Sequence, residues 1–340
     1  MSPTHPSNSS KTIAILGATG NQGGGLVRAL LQKNKDNPAS PPFTIHALTR
    51  DVHSASAQRL KASYPNNDAL KLIPADVYNV ESLRQAFEGA DGMFAVTNNR
   101  IPGKLIQTEE EMRHELVAGR NIVDAAKACH ISHVVMSSLP NIAEASQGRF
   151  TKVYHFDHKN QIEKWAREEL YAITSLHPGY FYSNMQWPQY CRRQADGIVR
   201  FCPPVPGDTL ADWVDPAYDI GNYAAEIFVQ GPQKTASKIY PVTSPKVPFA
   251  QLATIFESVT SQKAVFDPIT LDEWGSTVAA ATGKGYEDDI RQMEWTVVAP
   301  KNKIAYGTIN PDDDTSWRDL GVRASTFEEW IERTKWNWPQ

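Results

Sequence analysis

The chain has 340 residues, of which 41% are hydrophobic, so it is long enough to bury the core of one large domain or of two ordinary ones. It carries 34 basic and 38 acidic residues without a basic block, which argues against nucleic acid or an anionic membrane as a partner. Its three cysteines lack paired metal-ligand spacing and indicate reduced thiols. Without an apolar leader or an apolar run of membrane-spanning length, we expect a cytoplasmic protein.

The first half of the chain alternates between short apolar runs and helical patterns. Residues 1–10 have almost nothing to bury and predict a mobile tail. Strands are predicted at residues 12–16, 43–49, 70–74, 93–97, 133–137 and 172–176. Helices are predicted at residues 26–33, 54–62, 80–87, 161–170 and, behind a capping box at Thr108 and Glu111, 108–128. This alternation predicts an α/β fold with a parallel sheet and helices on both faces.

The second half loses this regular alternation, and prolines recur between residues 188 and 216. We predict a strand at 238–243, a helix at 249–259 and a C-terminal helix behind a capping box at Thr326 and Glu329. Eight of the nine tryptophans follow residue 180. They indicate a pocket for a flat organic ligand, a partner surface or simply the aromatic core of a smaller domain, and these interpretations stay open.

Residues 17–23, Gly-Ala-Thr-Gly-Asn-Gln-Gly, follow the first predicted strand and open the first predicted helix. In a dinucleotide-binding loop the first glycine allows a tight turn, the second lets backbone N–H groups approach a pyrophosphate, and the third allows close packing of helix on strand. The helix N-terminus adds partial positive charge. We therefore predict a dinucleotide site that uses Gly17, Thr19, Gly20, Asn21 and Gln22.

The end of the second strand decides which dinucleotide is expected. An acidic residue there holds the ribose 2′-hydroxyl of NAD, whereas a cation suits the 2′-phosphate of NADP. This chain has Arg50 at that point, and its guanidinium can stack on adenine and pair with phosphate. Asp51 complicates the choice, because it can neutralise Arg50 or bind the ribose itself. We favour NADP(H), and we expect further cofactor contacts from residues at later strand ends: Asp76, Val77, Thr97 and Asn98.

Several ordered segments together resemble the NmrA-like family of atypical short-chain dehydrogenase/reductases. They comprise residues 17–23, 48–50, 75–76, 119–126, 133–141, 155–159 and 178–184. Residues 214–216 and 218–221 look like the point at which the family's chain returns to the main sheet. The resemblance covers nearly the whole chain, although the last 100 residues match only in their general pattern and not in motifs.

The resemblance implies a Rossmann doubly wound parallel sheet with a smaller mixed α/β C-terminal domain. We expect an NADP-binding domain over residues 11–182, to which the chain returns within 211–243, and a substrate- or partner-binding domain over 183–340. The family includes reductases, among them relatives that reduce phenolic and quinone substrates. It also includes catalytically silent NADP(H) sensors that bind regulatory protein partners.

Typical short-chain dehydrogenases place a tyrosine four residues before a lysine, on one face of a helix. The lysine holds the ribose, and the tyrosine delivers a proton. Here His155 stands four residues before Lys159, and Tyr154 is one position out of register. Three interpretations follow: Lys159 keeps only a cofactor role without chemistry, Lys159 or His155 donates or relays a proton, or His155 is structural.

Other candidates lie at later strand ends. Ser138, with Ser137, matches the place of the family's substrate-polarising serine, unless a small residue is needed there only to let the cofactor approach. Residues Tyr180, Phe181 and Asn184 resemble the loop that runs over the nicotinamide amide, and Tyr180 can also offer a hydroxyl. No metal site is predicted, because no cysteine or carboxylate completes a ligand set with the histidines.

We therefore expect an NADPH-dependent reductase of a small carbonyl, quinone or activated-alkene metabolite, with an aromatic substrate favoured by the aromatic second half. Its candidate catalytic residues are Lys159, His155 and Ser138. The alternative is a catalytically silent NADP(H) redox sensor that regulates a protein partner, which would extend the expected location to the nucleus. The missing tyrosine favours the sensor, and the aromatic residues favour a substrate pocket.

Overall fold

A computed structural model describes residues 10–40 and 42–337. The predicted tail lies outside the described residues except for Ser10, whose Oγ donates a hydrogen bond to the Pro42 carbonyl oxygen at 2.7 Å. The strands in chain order are β1 (Lys11–Ile15), β2 (Phe43–Thr49), β3 (Leu70–Pro74), β4 (Gly92–Val96), β5 (His133–Ser137), β6 (Ile173–Pro178), β7 (Tyr180–Phe181), β8 (Cys191–Arg193), β9 (Val199–Phe201), β10 (Leu210–Ala211), β11 (Trp213–Val214), β12 (Ile239–Val242), β13 (Val247–Pro248) and β14 (Ala264–Phe266).

The helices separate most of these strands. They are α1 (Asn21–Asp36), α2 (Ala55–Ala62), α3 (Val80–Phe87), α4 (His114–Ala128), α5 (Ile142–Ala145), α6 (Tyr154–Glu169), α7 (Asp219–Gln230), α8 (Pro232–Thr235), α9 (Phe249–Thr260), α10 (Leu271–Thr282), α11 (Glu287–Val298), α12 (Ser316–Leu320) and α13 (Phe327–Thr334). Short 3₁₀ segments lie at Glu110–Arg113, Tyr182–Gln186 and Pro311–Asp313. Among the described residues, no helix combines the length and apolar character needed to span a membrane.

Seven strands form one parallel sheet in the order β12-β6-β5-β4-β1-β2-β3. The chain runs outward from β1 to β3 and then crosses back to β4 on the other side of β1. This reversal leaves a crevice at the carboxyl ends of β1 and β4, where open α/β sheets bind their ligands. The doubly wound Rossmann sheet predicted from the sequence is confirmed.

The two faces of the sheet are covered by different helices. On one face α1 packs against α7, and glycines allow this close approach: a Cβ atom on Gly25 would lie 2.1 Å from the carbonyl oxygen of Ala217. A Cβ atom on Gly221 would likewise lie 2.3 Å from the carbonyl carbon of Gly25. On the other face α3, α4 and α6 bury a second apolar cluster that includes Leu83 and Ile162. Both β12 and α7 therefore lie with the main sheet, although they come late in the chain.

The remainder of the second half packs around aromatic side chains. A three-stranded sheet in the order β14-β9-β8 lies with α9 and α13 around an apolar cluster. The rings of Tyr182 and Trp213 stack with their centroids 5.8 Å apart, and Phe327 and Trp330 stack at 5.7 Å. The predicted capping box at Thr326 begins α13. Most of the tryptophans there thus belong to a core. The division of the chain into two domains at residue 182 stays a prediction.

One predicted helix differs in its first turn. The pattern at 108–128 predicts a single α-helix, whereas the chain first forms the 3₁₀ segment Glu110–Arg113 and then α4. The Met112 N–H donates to the Glu109 carbonyl oxygen three residues earlier, at 3.1 Å, which tightens this turn. The capping box does form, because Thr108 Oγ1 accepts from the Glu111 N–H at 3.3 Å.

Candidate active site

A cavity of about 530 Å³ opens at the carboxyl ends of the central strands. Its walls are the glycine loop after β1, residues 96–100 after β4 and residues 179–184 after β6, with α6, α10 and α11 completing the enclosure. The predicted site residues that line it are Gly17, Gly20, Asn21, Gln22, Thr97, Asn98, His155, Lys159, Tyr180, Phe181 and Asn184. Those outside its lining are Thr19, Arg50, Asp76, Val77 and Ser138.

The glycine loop has the backbone shape that a phosphate site needs. Gly17 has φ +67°, and its carbonyl oxygen accepts from the Gly20 N–H at 2.9 Å, which closes a tight turn. A Cβ atom on Gly23 would lie 2.4 Å from that same oxygen, so only glycine fits. Gly20 begins α1 without a side-chain cap, and the first turn carries no acidic residue. The free N–H groups and the helix dipole therefore favour an anion.

Arg50 lies exposed just beyond β2, and no ion pair to it occurs within the described residues. The neighbouring Asp51 uses its carboxylate locally, because Oδ1 accepts from the His53 N–H at 2.8 Å. Beyond β3, the Val77 carbonyl oxygen accepts from the Asn121 side chain at 3.0 Å. Asp76 Oδ1 accepts from the Tyr78 N–H at 3.0 Å. These residues thus form a rim outside the cavity lining, with the Arg50 guanidinium available to a ligand.

Lys159 enters the cavity from α6 in a fixed position. Its ammonium forms an ion pair with Glu115 of α4, whose side chain is fully buried. The same ammonium donates to the carbonyl oxygen of Thr97 at 3.1 Å. Thr97 Oγ1 in turn donates to Glu115 Oε1 at 2.6 Å. Thr97 Oγ1 also accepts from the ammonium at 3.3 Å, so Lys159 is held just after β4 by three acceptors from Glu115 and Thr97.

His155 lies one helical turn before Lys159 and lines the same cavity. Its Nδ1 is 2.5 Å from Oδ2 of Asp288, a fully buried residue of α11. Burial on its own would lower the pKa of His155, but the Asp288 carboxylate outweighs burial and the pKa is raised. Burial and the Asp288 charge also raise the pKa of Asp289, which lines the cavity, to about 6.

The sequence did not reveal these two carboxylates. Asp288 and Asp289 are more than 130 residues from His155 and belong to no recognisable motif. The expectation that no carboxylate accompanies the histidines is therefore wrong at His155. One ligand atom from each of the three residues lies within 4.8 Å of the others, which is close enough for a metal site. We assign no metal here, because Nδ1 of His155 and Oδ2 of Asp288 are hydrogen-bonded to each other, which is the arrangement of an acid–base pair.

Tyr154, the tyrosine nearest in sequence to the usual donor position, is directed elsewhere. Its hydroxyl donates to Glu109 Oε2 at 2.6 Å, and burial together with this carboxylate raises its pKa to about 12. The Tyr180 hydroxyl is buried against Thr296 Oγ1, and burial raises its pKa well above the usual value. Neither phenol is thus arranged as a proton donor.

Ser138 does not reach the cavity. It is fully buried, and its Oγ has no hydrogen-bond partner among the described residues. Its backbone N–H continues the sheet by donating to the Leu176 carbonyl oxygen at 2.9 Å. The following residue, Leu139, lines the cavity instead. Ser138 thus lies outside the cavity lining, and its assignment to substrate stays a prediction.

Part of the cavity wall is aromatic. Tyr190 and Trp274 meet edge to face with centroids 4.7 Å apart, and Trp187 lies beside them. The Arg100 guanidinium lies 4.6 Å from the centre of the Trp187 ring and 3.6 Å from Asp289. The abundance of tryptophan after residue 180 was the only sequence signal for this wall, and it did not distinguish wall from core.

A model of the NmrA-like family matches residues 9–331. The chain belongs to the NmrA-like family. Among its relatives, the NmrA-like family domain-containing oxidoreductase hkm9 of Aspergillus hancockii is 28% identical over 275 residues, covering 78% of this chain and 76% of the relative. The similarly named ptmS of Penicillium ochrochloron is 27% identical over 289 residues, covering 82% and 81%. The resemblance found in the sequence is confirmed.

Solved structures share the fold at low identity. Triphenylmethane reductase of Citrobacter, complexed with NADP(H), has a TM-score of 0.68 at 17% identity and covers 95% of this chain and 99% of its own. An NADPH-dependent quinone oxidoreductase of Escherichia coli has a TM-score of 0.66 at 19% identity, with the same coverage. NmrA, a negative transcriptional regulator solved with NADP, has a TM-score of 0.66 at 20% identity and covers 95% and 94%.

Proposed function

We propose that this NmrA-like protein is an NADPH-dependent reductase of a small carbonyl, quinone or activated-alkene metabolite. The observation that carries the proposal is a single cavity that joins an uncapped helix N-terminus to Lys159, His155 and an aromatic wall. The helix N-terminus suits the phosphates of a dinucleotide. The aromatic wall suits a flat apolar metabolite. The reacting end of a hydride donor and a flat acceptor can therefore meet in one cavity.

The residues present fit NADP(H). The glycine loop offers free N–H groups to phosphates, and Gln22 Oε1 is buried at the loop without a partner among the described residues. Lys159 of α6, whose ammonium is anchored to Thr97 after β4, is in a position to hold the ribose, and Phe181 and Asn184 line the same cavity. Bound NADPH supplies the hydride. Structural neighbours solved with NADP(H) support this assignment.

The choice of NADP(H) over NAD(H) rests on Arg50. Its guanidinium lies at the end of β2 without a protein ion pair among the described residues, while Asp51 turns its carboxylate to the His53 N–H. A free guanidinium pairs well with a 2′-phosphate. We assign Asp76 and Val77, at the end of β3, to the adenine side of the cofactor.

The relatives favour turnover over silent sensing. Both hkm9 and ptmS are named oxidoreductases, which supports an enzyme rather than a regulator. The sensor hypothesis began from the missing tyrosine, but the cavity contains a histidine in the same register with a buried carboxylate behind it. A reductase needs a substrate cavity with an acid–base residue, whereas a silent sensor needs only a cofactor site.

The test is NADPH consumption by purified protein, measured by absorbance with a metabolite extract and a panel of quinones. Wild type is compared with Lys159→Met and with Lys164→Met, a control on an exposed position of the same helix. Consumption by wild type and Lys164→Met that is lost in Lys159→Met supports the proposal. A wild type that binds NADPH and consumes none with any acceptor contradicts it and leaves the sensor.

A further inference from the structure

His155 is hydrogen-bonded to a buried carboxylate of α11, and this pair suits a proton donor for the proposed reduction. We propose that His155 is the acid that protonates the substrate oxygen during reduction, and that Asp288 is the positioning residue that orients and charges it. The inference rests on the proposed reductase activity. It adds the proton donor that the missing tyrosine would otherwise supply, and it takes that donor's partner from the C-terminal half of the chain.

The position of His155 suits a proton donor to the substrate. His155 and Lys159 are four residues apart on α6, so both project from one face, and both line the cavity. Nδ1 of His155 is occupied by Asp288 at 2.5 Å, which leaves Nε2 as the ring nitrogen that a ligand can reach. Phe156 meets the imidazole edge to face at 4.7 Å and restricts the ring further. A carboxylate on one nitrogen and an open site at the other is the arrangement of a general acid–base histidine.

The charged groups around His155 favour its protonated form. The groups that face His155 are Asp288 and Asp289 from α11, with Lys159 and Asp157 from its own helix. Burial disfavours the imidazolium, but Asp288, with its side chain wholly inside the protein, compensates, and the pKa is raised. Lys159 opposes this shift only weakly, because its own charge is paired with Glu115. The charges around His155 therefore favour its imidazolium form.

The proton step is balanced without a further reagent. As the substrate carbon gains a hydride, the electron pair of its C=O bond moves to oxygen. The Nε2–H bond of His155 breaks, the proton forms an O–H bond, and Nε2 keeps the electron pair of the broken bond. Asp288 stays ionised throughout and fixes the proton on Nδ1. Solvent then reprotonates Nε2.

This assignment narrows the substrate class. A carbonyl or quinone needs a hydride and a proton, because its reduction places negative charge on oxygen. A cationic dye such as a phenothiazinium accepts a hydride and becomes neutral without a proton. The built-in acid therefore favours carbonyl and quinone acceptors, and the two kinds of acceptor separate proton delivery from hydride transfer.

The first test needs no turnover. Protein with ¹⁵N-labelled histidine is titrated by NMR with NADP⁺ bound, and the His155 signal is assigned from its loss in His155→Gln. We expect a pKa above 6.5 for His155, lowered by about one to three pH units in Asp288→Asn. In His158→Gln, a control on the same helix outside the cavity lining, the His155 titration should not move. A His155 pKa below 6.5 that Asp288→Asn leaves unchanged overturns the assignment.

The second test compares acceptors. Rates with a quinone and with methylene blue are measured for wild type, His155→Gln and Asp288→Asn. The ratio of quinone to dye reduction should fall by about 100-fold or more in His155→Gln, as expected when a general acid is lost. Equal losses with both acceptors would show a structural role for His155 and contradict the proposal. The quinone rate of wild type should also fall as pH rises through the measured His155 pKa.

The experiments distinguish a wrong proton donor from a wrong function. If wild type reduces either acceptor but the ratio is unchanged in His155→Gln, the reductase stands and the proton donor is wrong. If wild type binds NADPH and reduces neither acceptor nor any metabolite of the extract, the proposed function falls, and the assignment of His155 falls with it.

Discussion

The ammonium of Lys159 is paired with the carboxylate of Glu115, a residue of α4 that is fully buried. Thr97 connects the two, because its Oγ1 donates to Glu115 while its carbonyl oxygen accepts from Lys159. A charge fixed in this way is a good clamp for a ribose hydroxyl. It is a poor mobile acid, since losing its proton would leave a buried carboxylate without a counter-charge.

Replacing Lys159 should affect folding and cofactor binding separately. Lys159→Met leaves Glu115 buried and unpaired, so we expect the free energy of unfolding to fall by about 3–5 kcal/mol. The double variant Lys159→Met/Glu115→Leu removes both charges and should regain most of this stability without regaining NADPH affinity. Urea unfolding and NADPH fluorescence titration measure the two effects. A double variant that binds NADPH like wild type would show that Lys159 does not contact the cofactor.

Arg50 should set the preference between the two nicotinamide dinucleotides. Loss of a charge-assisted contact to the 2′-phosphate costs about 1.5–3 kcal/mol, so Arg50→Ala should weaken NADPH binding by about 10- to 100-fold and leave NADH binding unchanged. Arg59→Ala, at an exposed position of α2, is the control. Calorimetric titration with both cofactors decides. Equal weakening for NADPH and NADH would mean that Arg50 acts on a part that the two cofactors share.

Two neighbouring glycines of α1 offer a matched test of the phosphate loop. A Cβ atom at Gly23 would lie 2.4 Å from the backbone oxygen of Gly17, whereas one at Gly24 would lie 3.2 Å from that of Ala18. Gly23→Ala should therefore abolish measurable NADPH binding. Gly24→Ala should bind NADPH normally, because the backbone at Ala18 needs to move by only a few tenths of an ångström, and a helix-propensity gain of up to about 1 kcal/mol offsets that shift. Normal NADPH binding by Gly23→Ala would rule out the proposed phosphate loop.

Glu163 should make the fold sensitive to acid. Burial alone would raise its pKa, but His177 and Arg167 outweigh burial and hold the pKa far below its usual range. Because the folded-state pKa is lowered, this stabilisation is present above the unfolded pKa of about 4.3 and is lost as pH falls below it. Glu163→Gln should cost about 3 kcal/mol or more at pH 7.

The pH dependence of that difference is the measurement. Urea unfolding of wild type and Glu163→Gln should give free energies that converge as the pH is lowered from neutral toward 3, since the wild-type carboxylate is then protonated in the unfolded chain. Glu168→Gln, at an exposed position of the same helix, should behave like wild type. A difference that stays constant with pH would show that the Glu163 charge does not contribute.

The sheet was predictable because its signals are local. Each strand of the first half is a short apolar run, and the glycine loop marks both the end of β1 and the start of α1. The register of β12 beside β6 has no such local signal, because residues 64 positions apart are brought together by the packing of α7 on the sheet. Only the family resemblance indicated that the chain returns there.

The site was predictable in its cofactor half and not in its substrate half. The glycine loop, Thr97 and Lys159 occupy fixed places relative to strands, so their spacing indicates their location. Asp289 and Arg100 meet in the cavity where α11 packs against the loop after β4, and no spacing in the sequence encodes this packing. Ser138 is buried outside the cavity lining, because one residue of difference at a strand end turns a side chain to the other face, and its role stays a prediction.

The most direct test of the central claim follows the hydride itself. The purified protein is incubated with a metabolite extract and NADPH carrying deuterium at the transferred position, and the products are analysed by mass spectrometry. The account predicts one deuterium in a reduced metabolite that retains an aromatic ring, formed by wild type and not by Lys159→Met/Glu115→Leu. A hydroquinone exchanges its O–H hydrogens with water, so quinone reduction is followed in parallel as oxidation of NADPH. Bound NADPH with no deuterium in any metabolite and no oxidation by any quinone would contradict the claim that this protein is a reductase.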